Sequence, residues 1–85
     1  MTKAKELLQK ALRSPASLRF DEMVRLAEAF GFRRARQRGS HHILVHPDVP
    51  QLVNLQDVNG VAKPYQVRQF LKLVERYNLR PGGRP

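Results

Sequence analysis

The apolar residues in the first third of the chain recur at the three- and four-residue spacing of an α-helix. This pattern predicts a first helix, whose apolar positions are Ala4, Leu7, Leu8, Ala11 and Leu12. The Ser14-Pro15 pair ends this helix, because proline disfavours helix in the residue before it. A second helix is predicted over residues 20–30, and Gly31 supplies the left-handed residue that commonly closes a helix.

After residue 31 the hydrophobic period changes to that of β-strands. Residues 32–37 and 42–46 are predicted to be two strands, joined by a tight turn at Arg38-Gly39-Ser40. The segment Pro47-Asp48-Val49-Pro50 is predicted to be a loop, and residues 52–56 a short third strand. The middle of the chain is therefore expected to form a β-hairpin followed by one further strand.

The last predicted element is a helix that begins at Pro64, after a turn at Asn59-Gly60. Its apolar positions are Val67, Phe70, Leu71 and Val74. The opposite side carries a stripe of cations, Arg68, Lys72 and Arg76, which together with Lys63 would suit contact with phosphates. A solvated helix face would show the same pattern. Residues 80–85 contain no core-forming side chain and are predicted to be a flexible tail.

The order helix, helix, three strands, helix favours an α+β fold. Strands joined by short loops pair antiparallel, so we expect a three-stranded antiparallel sheet with the helices on one face. Ile43, Leu44 and Val45 are apolar at consecutive positions, which indicates that both faces of the middle strand need cover. The N-terminal helix or a second copy of the chain would supply that cover.

Charge is the most informative part of the composition. The chain of 85 residues has 16 Lys and Arg against 7 Asp and Glu, which gives a net charge of +9. Such an excess on one small domain favours a polyanionic partner, with nucleic acid first and an acidic protein second, although a solvated charged surface is the alternative. The sequence contains no cysteine, so disulfides and thiolate chemistry are excluded. No apolar run is long enough for a membrane span, and a cytoplasmic protein is expected.

The three histidines, His41, His42 and His46, lie within six residues of sequence. Neighbours on a strand point to opposite faces, and residues four apart are separated by about 13 Å. Neither His41 and His42 nor His42 and His46 can therefore share one metal ion, and we expect no metal site.

A catalytic role requires only one of these imidazoles. His41 follows the Gly39-Ser40 turn at the exposed end of the hairpin, near Arg36 and Arg38. An imidazole beside a phosphodiester held by cations can act as a general acid or base, and RNA supplies its own nucleophile in the 2′-hydroxyl. The alternative is that His41 only forms a hydrogen bond within the turn.

The segment GFRRARQRGSHHILVHP, residues 31–47, resembles the core motif of the HicA family of toxin ribonucleases. In that motif a helix ends in Gly-Phe, a basic strand follows, and Gly-Ser-His opens the next strand. The resemblance covers about residues 20–79 and implies the family's double-stranded-RNA-binding-domain-like α-β-β-β-α fold. We therefore expect a helical extension at residues 1–19, the family domain at residues 20–79 and the tail at residues 80–85.

The resemblance also implies a function, a catalytic residue and a partner. The implied activity is metal-independent cleavage of messenger RNA by an endoribonuclease that needs no cofactor and is neutralised by a HicB-type antitoxin. The catalytic histidine falls on His41, with Gly39 and Ser40 shaping its turn. The candidate RNA contacts are Arg36, Arg38, Lys63, Arg68 and Lys72. The extra helix leaves a homodimer open, and a non-catalytic RNA-binding or regulatory protein with the same fold is the alternative function.

Overall fold

The computed structural model describes residues 3–82, which form three α-helices, a 3₁₀ turn and four strands. In chain order these are α1 (Lys3–Arg13), the 3₁₀ turn Pro15–Ser17, α2 (Phe20–Ala29), β1 (Arg33–Arg38), β2 (His41–His46), β3 (Val49–Val58), β4 (Val61–Ala62) and α3 (Pro64–Arg76). Each predicted helix and strand is present, in the predicted order. The expected α+β fold with an additional N-terminal helix is confirmed.

The sheet is antiparallel with the strand order β1-β2-β3-β4, so it has one strand more than predicted. The added strand, β4, is two residues long and pairs only with Asp57 and Val58 at the end of β3. Asn59 and Gly60 between the two strands have positive φ angles of 55° and 82°. Two such residues form the tight hairpin turn that matches the strand twist, and this brings β4 back beside β3.

Strand β3 begins earlier than the sequence predicted, at Val49 instead of residue 52. The predicted loop over residues 47–50 shrinks to a turn at Pro47 and Asp48. The Asp48 N–H donates to His46 Nδ1 at 2.9 Å, and Val49 pairs with His46. Pro50 is compatible with a strand because this part of β3 is an edge. Strand β4 pairs only with Asp57 and Val58, so no strand lies beside Pro50 on the side away from β2.

The helices pack on one face of the sheet and enclose a single hydrophobic core. Leu44 and Leu55 of the sheet and Phe70 of α3 are fully buried. The rings of Phe30 and Phe32 contact the Phe70 ring with centroid distances of 5.8 and 5.5 Å. These distances lie in the range of favourable edge-on aromatic pairs, so the link between α2 and β1 is packed against α3.

Helix α1 belongs to this helical layer. It packs against α2, the 3₁₀ turn and α3, and its Ala11 is fully buried. Lys10 Nζ lies 3.0 and 3.2 Å from the two carboxylate oxygens of Glu22 on α2. The Arg19 N–H donates to the same carboxylate at 3.0 Å, and together with Lys10 it lowers the pKa of Glu22. The ion pair therefore fixes the N-terminal helix to the start of α2.

The other face of the sheet is called the outer face below. Helix α1 packs against α2, the 3₁₀ turn and α3 on the helical side, so the expectation that it would supply cover for the second face of β2 is wrong. Ile43 and Val45 on this face are half-buried, whereas His41 is exposed. Cover by a second copy of the chain stays a prediction.

The C-terminal end of the described chain turns back toward α2. Within the tail that was predicted to be flexible, residues 80–82 are described, and the Gly82 N–H donates to the Ala29 carbonyl at 2.7 Å. Residues 83–85 lie outside the described residues. Within residues 3–82, no helix is both long and apolar enough to span a membrane.

Candidate functional site

His41 is the first residue of β2 and lies on the outer face of the sheet. Gly39 in the preceding turn has a φ of 58°, a conformation that other residues rarely adopt. A Cβ at Gly39 would meet no atom within 4 Å, so this φ angle alone accounts for the glycine. His41 is exposed and His42 is buried, as expected for neighbours on a strand. The turn therefore presents the His41 imidazole to solvent at one end of the sheet.

Arg36 and Arg38 share the outer face with His41 because of the strand register. Arg38 pairs with His41, and Arg36 pairs with Ile43. Side chains of directly opposed residues in an antiparallel pair project from the same face. Two guanidinium groups thus lie on the same face of the sheet as the imidazole.

A β-bulge at Ala35 is what makes this placement possible. Strict alternation from the buried Phe32 would turn Arg36 and Arg38 toward the helices, on the same face as Arg34. The register instead shifts between Arg34 and Arg36, so that Arg34 pairs with the core residue Leu44 while Arg36 pairs with Ile43. One inserted residue changes the face of everything beyond it in the strand. The bulge therefore moves two cations to the outer face.

Asn54 on β3 completes this group and was not identified from the sequence. It pairs with Ile43, and its Oδ1 lies 3.3 Å from His41 Nδ1. An amide oxygen can only accept a hydrogen bond, so this contact requires the proton of a neutral imidazole to be on Nδ1. The lone pair of the neutral ring is then on Nε2. No sequence motif indicates Asn54. Its position depends on the register between β2 and β3, which brings together residues 13 apart in sequence.

Arg36, Arg38, His41, Ile43 and Asn54 line an open depression of about 380 Å³, called the outer depression below. It contains two cations, one imidazole and one amide around a half-buried aliphatic side chain. Such an arrangement can hold a phosphodiester against the arginines while the imidazole exchanges a proton with it.

The other two histidines have structural positions. The His42 ring packs on Phe20 with a centroid distance of 4.7 Å, and its buried Nδ1 has no hydrogen-bond partner among the described residues. Burial lowers the pKa of His42, and the positive charge of Arg34 lowers it further. The His46 ring packs on Phe32 at 5.0 Å while its Nδ1 accepts the Asp48 N–H. Neither ring reaches the outer depression.

The remaining predicted RNA contacts lie elsewhere. Lys72 lines a second groove, between β3 and α3, which is described below. Lys63 and Arg68 line neither this groove nor the outer depression. The Lys63 ammonium lies 6.0 Å from the centroid of the Tyr65 ring. The five predicted contacts are thus distributed over separate parts of the surface. Among residues 3–82, no three His, Cys, Asp or Glu side chains cluster as metal ligands would.

We predict that His42 makes the stability of the fold depend on pH. Its pKa is lowered in the folded state from an ordinary value of 6.5, so between the two values the unfolded chain binds more protons. The contribution of uncharged His42 to the free energy of unfolding is complete above pH 6.5. It is lost as the pH falls through the pKa that His42 has in the folded state. For one proton, the free energy of unfolding changes by at most about 1.4 kcal/mol per pH unit.

Urea unfolding of the parent and of His42→Leu between pH 7.5 and pH 5 measures this effect. Both chains keep the other titrating groups, so we expect the free energy of unfolding to fall more steeply in the parent. A difference between the two chains that stays constant over this range would contradict the prediction.

Comparison with known protein families gave a match. The model of the family described as HicA toxin of bacterial toxin-antitoxin matches residues 20–75. Comparisons with curated proteins and with solved structures each gave no match. The matched region starts at the first residue of α2, ends within α3, and contains the whole sheet with its outer depression. It covers more than half of the 85 residues, so the chain belongs to the HicA family of bacterial toxin–antitoxin toxins.

Proposed function

We propose that this protein is an endoribonuclease that cleaves messenger RNA in the cytoplasm, with His41 as its general acid and base. The observation that supports this proposal most strongly is the geometry of the outer depression. An exposed imidazole is held through Nδ1 by Asn54, and Arg36 and Arg38 lie on the same face. Membership of the HicA toxin family supplies the toxin role and implies a cognate antitoxin.

The proposed reaction begins with His41 Nε2 accepting the proton of a ribose 2′-hydroxyl. The 2′-oxygen then forms a bond to the adjacent phosphorus, and the bond from phosphorus to the 5′-oxygen of the next nucleotide breaks. The imidazolium returns its proton to that 5′-oxygen. The products are a 2′,3′-cyclic phosphate and a 5′-hydroxyl, and His41 is neutral again. The nucleophile is part of the substrate, so these steps call for no metal ion or covalent intermediate.

Asn54 acts as a positioning residue in this proposal. Its carbonyl oxygen accepts the Nδ1–H of both the neutral and the protonated ring. The ring therefore keeps one orientation and one tautomer, with Nε2 directed away from Asn54 and available to RNA. The same hydrogen bond becomes stronger when the ring is charged, which favours the step that removes the 2′-proton.

Arg36 and Arg38 are proposed to bind the scissile phosphate and to stabilise the charge that develops on it. Guanidinium groups remain protonated and can donate two parallel hydrogen bonds to phosphate oxygens. Acid–base catalysis contributes a factor of about 10² to 10⁴ in rate, and stabilisation of the phosphorane adds to it. Lys72, Lys63 and Arg68 are proposed to contact phosphates farther from the cleaved bond.

A HicB-type antitoxin is the proposed partner, and the outer face is its proposed binding surface. Several exposed arginines lie on or beside this face, and in the described residues no helix covers it. An acidic surface placed over the outer depression would neutralise the arginines and deny RNA access to His41.

We predict that His41→Ala reduces RNA cleavage at least about 10²-fold, because the proton transfer loses its only imidazole. The side chain is exposed, so the thermal unfolding midpoint should change little. Single-turnover cleavage of a labelled RNA by parent and variant, purified side by side, measures the effect. Equal rates for the two proteins would remove His41 from the mechanism. Salt-dependent RNA binding without cleavage by either would favour the non-catalytic alternative.

The bulge at Ala35 allows a matched test of the arginines. Arg36→Ala removes a cation from the outer depression, whereas Arg34→Ala removes the same charge from the same strand on the opposite face. We expect Arg36→Ala to lower kcat/KM about tenfold or more, as for the loss of one charged hydrogen-bonding contact, and Arg34→Ala to lower it less than about threefold. Equal losses would mean that the arginines act only through net charge.

A further inference from the structure

A second groove lies between the free edge of β3 and helix α3, with a volume of about 310 Å³. It exists because β4 pairs only with Asp57 and Val58 and leaves the preceding part of β3 without a strand neighbour on this side. The Tyr77 hydroxyl, on the loop after α3, donates to Oε1 of Gln51, a residue that lines this groove, at 2.9 Å. This space is called the edge groove below.

The side chains that line the edge groove suit a polyanion. Lys72 and Arg76 project into it from α3, one turn apart. None of its lining residues in the described chain is acidic. Four amide side chains also line it: Gln51, Asn54, Gln66 and Gln69. The groove therefore offers two full positive charges and several neutral donors, and no lining side chain carries a negative charge.

Gln66 illustrates how these donors are fixed. Its Oε1 accepts the Gln56 N–H at 2.8 Å, and its side chain is buried. A backbone N–H can only donate, so the oxygen of this amide must face β3. The NH₂ group is then the end that is left for another acceptor. The α3 side of the groove is thus pinned to β3 at the residue that pairs with His41.

An apolar side chain completes the edge groove. Leu52 lines it and is 59% exposed, although it is one of the larger hydrophobic residues of the chain. An aliphatic surface in the same groove as two cations suits the face of a nucleobase that is not stacked in a duplex. An inorganic anion or an acidic side chain would make no use of it.

The edge groove adjoins the outer depression at Asn54, which lines both. Asn54 lies on β3, one strand from His41 on β2. Adjacent strands are only about 4.8 Å apart, so a polymer bound at His41 reaches α3 within a short distance. A chain of phosphates can follow this path from Arg36 and Arg38, past His41 and Asn54, to Lys72.

We infer that the edge groove is a second RNA subsite, which binds single-stranded nucleotides flanking the bond at His41. This inference rests on the proposed function, and it commits the substrate to single-stranded RNA. A single strand can bend across β3 and place a base against Leu52, whereas the bases of an A-form duplex are stacked inside it. The edge groove thus determines affinity and the outer depression determines chemistry.

The test compares two double variants with the same loss of charge. Lys72→Ala with Arg76→Ala removes both cations of the edge groove. Lys5→Ala with Arg13→Ala removes two exposed cations from α1, which line neither cavity. Affinity is measured by fluorescence anisotropy with a labelled single-stranded 2′-O-methyl RNA, which cannot be cleaved. We expect the groove variant to bind RNA about tenfold more weakly. The slope of log K against log salt, which is negative, should become shallower by about 1.4 because two phosphate contacts are lost. The α1 variant should change affinity less than about threefold.

Cleavage provides the second arm. With a long RNA, the groove variant should raise KM about tenfold and leave kcat within about twofold of the parent. With a dinucleotide that fills only the outer depression, the groove variant and the parent should be equal. This pattern separates a flanking subsite from a structural defect, which would lower kcat on both substrates.

Several outcomes overturn the inference. Equal binding losses in the two double variants would mean that only net charge matters. A duplex that binds as tightly as the single strand through the same cations would overturn the single-strand assignment. Unchanged RNA affinity together with lost binding of a purified antitoxin, or lost self-association, would assign the groove to a protein partner. If the parent binds RNA without cleaving it, the proposed function fails. The affinities of the two double variants still show whether the edge groove is an RNA subsite.

Discussion

The antiparallel pairing of β1, β2 and β3 is the constraint on which the site depends. No residue of the outer depression is close in sequence to all the others, and the register alone brings Arg36, His41 and Asn54 onto one face. The bulge at Ala35 determines which side chains of β1 face outward, and the Gly39-Ser40 turn does the same for β2. A slip of one residue in either strand would turn the cations or the imidazole toward the helices. The hydrogen bonds that hold the sheet together therefore also bring the side chains of the outer depression together.

Strand β2 serves the core and the site at once by alternation. His42, Leu44 and His46 face the helices, and His41, Ile43 and Val45 face outward. Two histidines with nearly the same sequence context thus have different environments. Burial lowers the pKa of His42, whereas His41 is exposed to solvent. Helices on the inner face supply the stability that lets the outer face remain exposed.

Much of the fold could be predicted from the sequence, because it is set by local patterns. Helical spacing gave α1, α2 and α3, and the glycine-containing turn gave the hairpin with His41 at its exposed end. The fourth strand was missed because two residues carry no periodicity, and only the geometry of Asn59-Gly60 brings them into the sheet. The start of β3 was missed because Pro47 and Pro50 together indicated a loop.

The site was predictable only where sequence neighbours are also neighbours in space. His41, Arg36 and Arg38 belong to one hairpin, so their grouping could be proposed, but the bulge that puts them on the same face left no clear sequence signal. Asn54 depends on the register of a separate strand. Lys63, Arg68 and Lys72 were grouped with the hairpin by charge alone, and only Lys72 lines a cavity that adjoins it.

The central claim is that the RNA itself supplies the nucleophile beside His41. It is tested most directly by replacing one ribose with a 2′-deoxyribose at the cleavage position of an RNA substrate. The account predicts that cleavage at that bond stops while binding is unchanged, and that the all-ribose substrate yields a 2′,3′-cyclic phosphate end. Continued cleavage at the deoxy position, or a 5′-phosphate product, would contradict it.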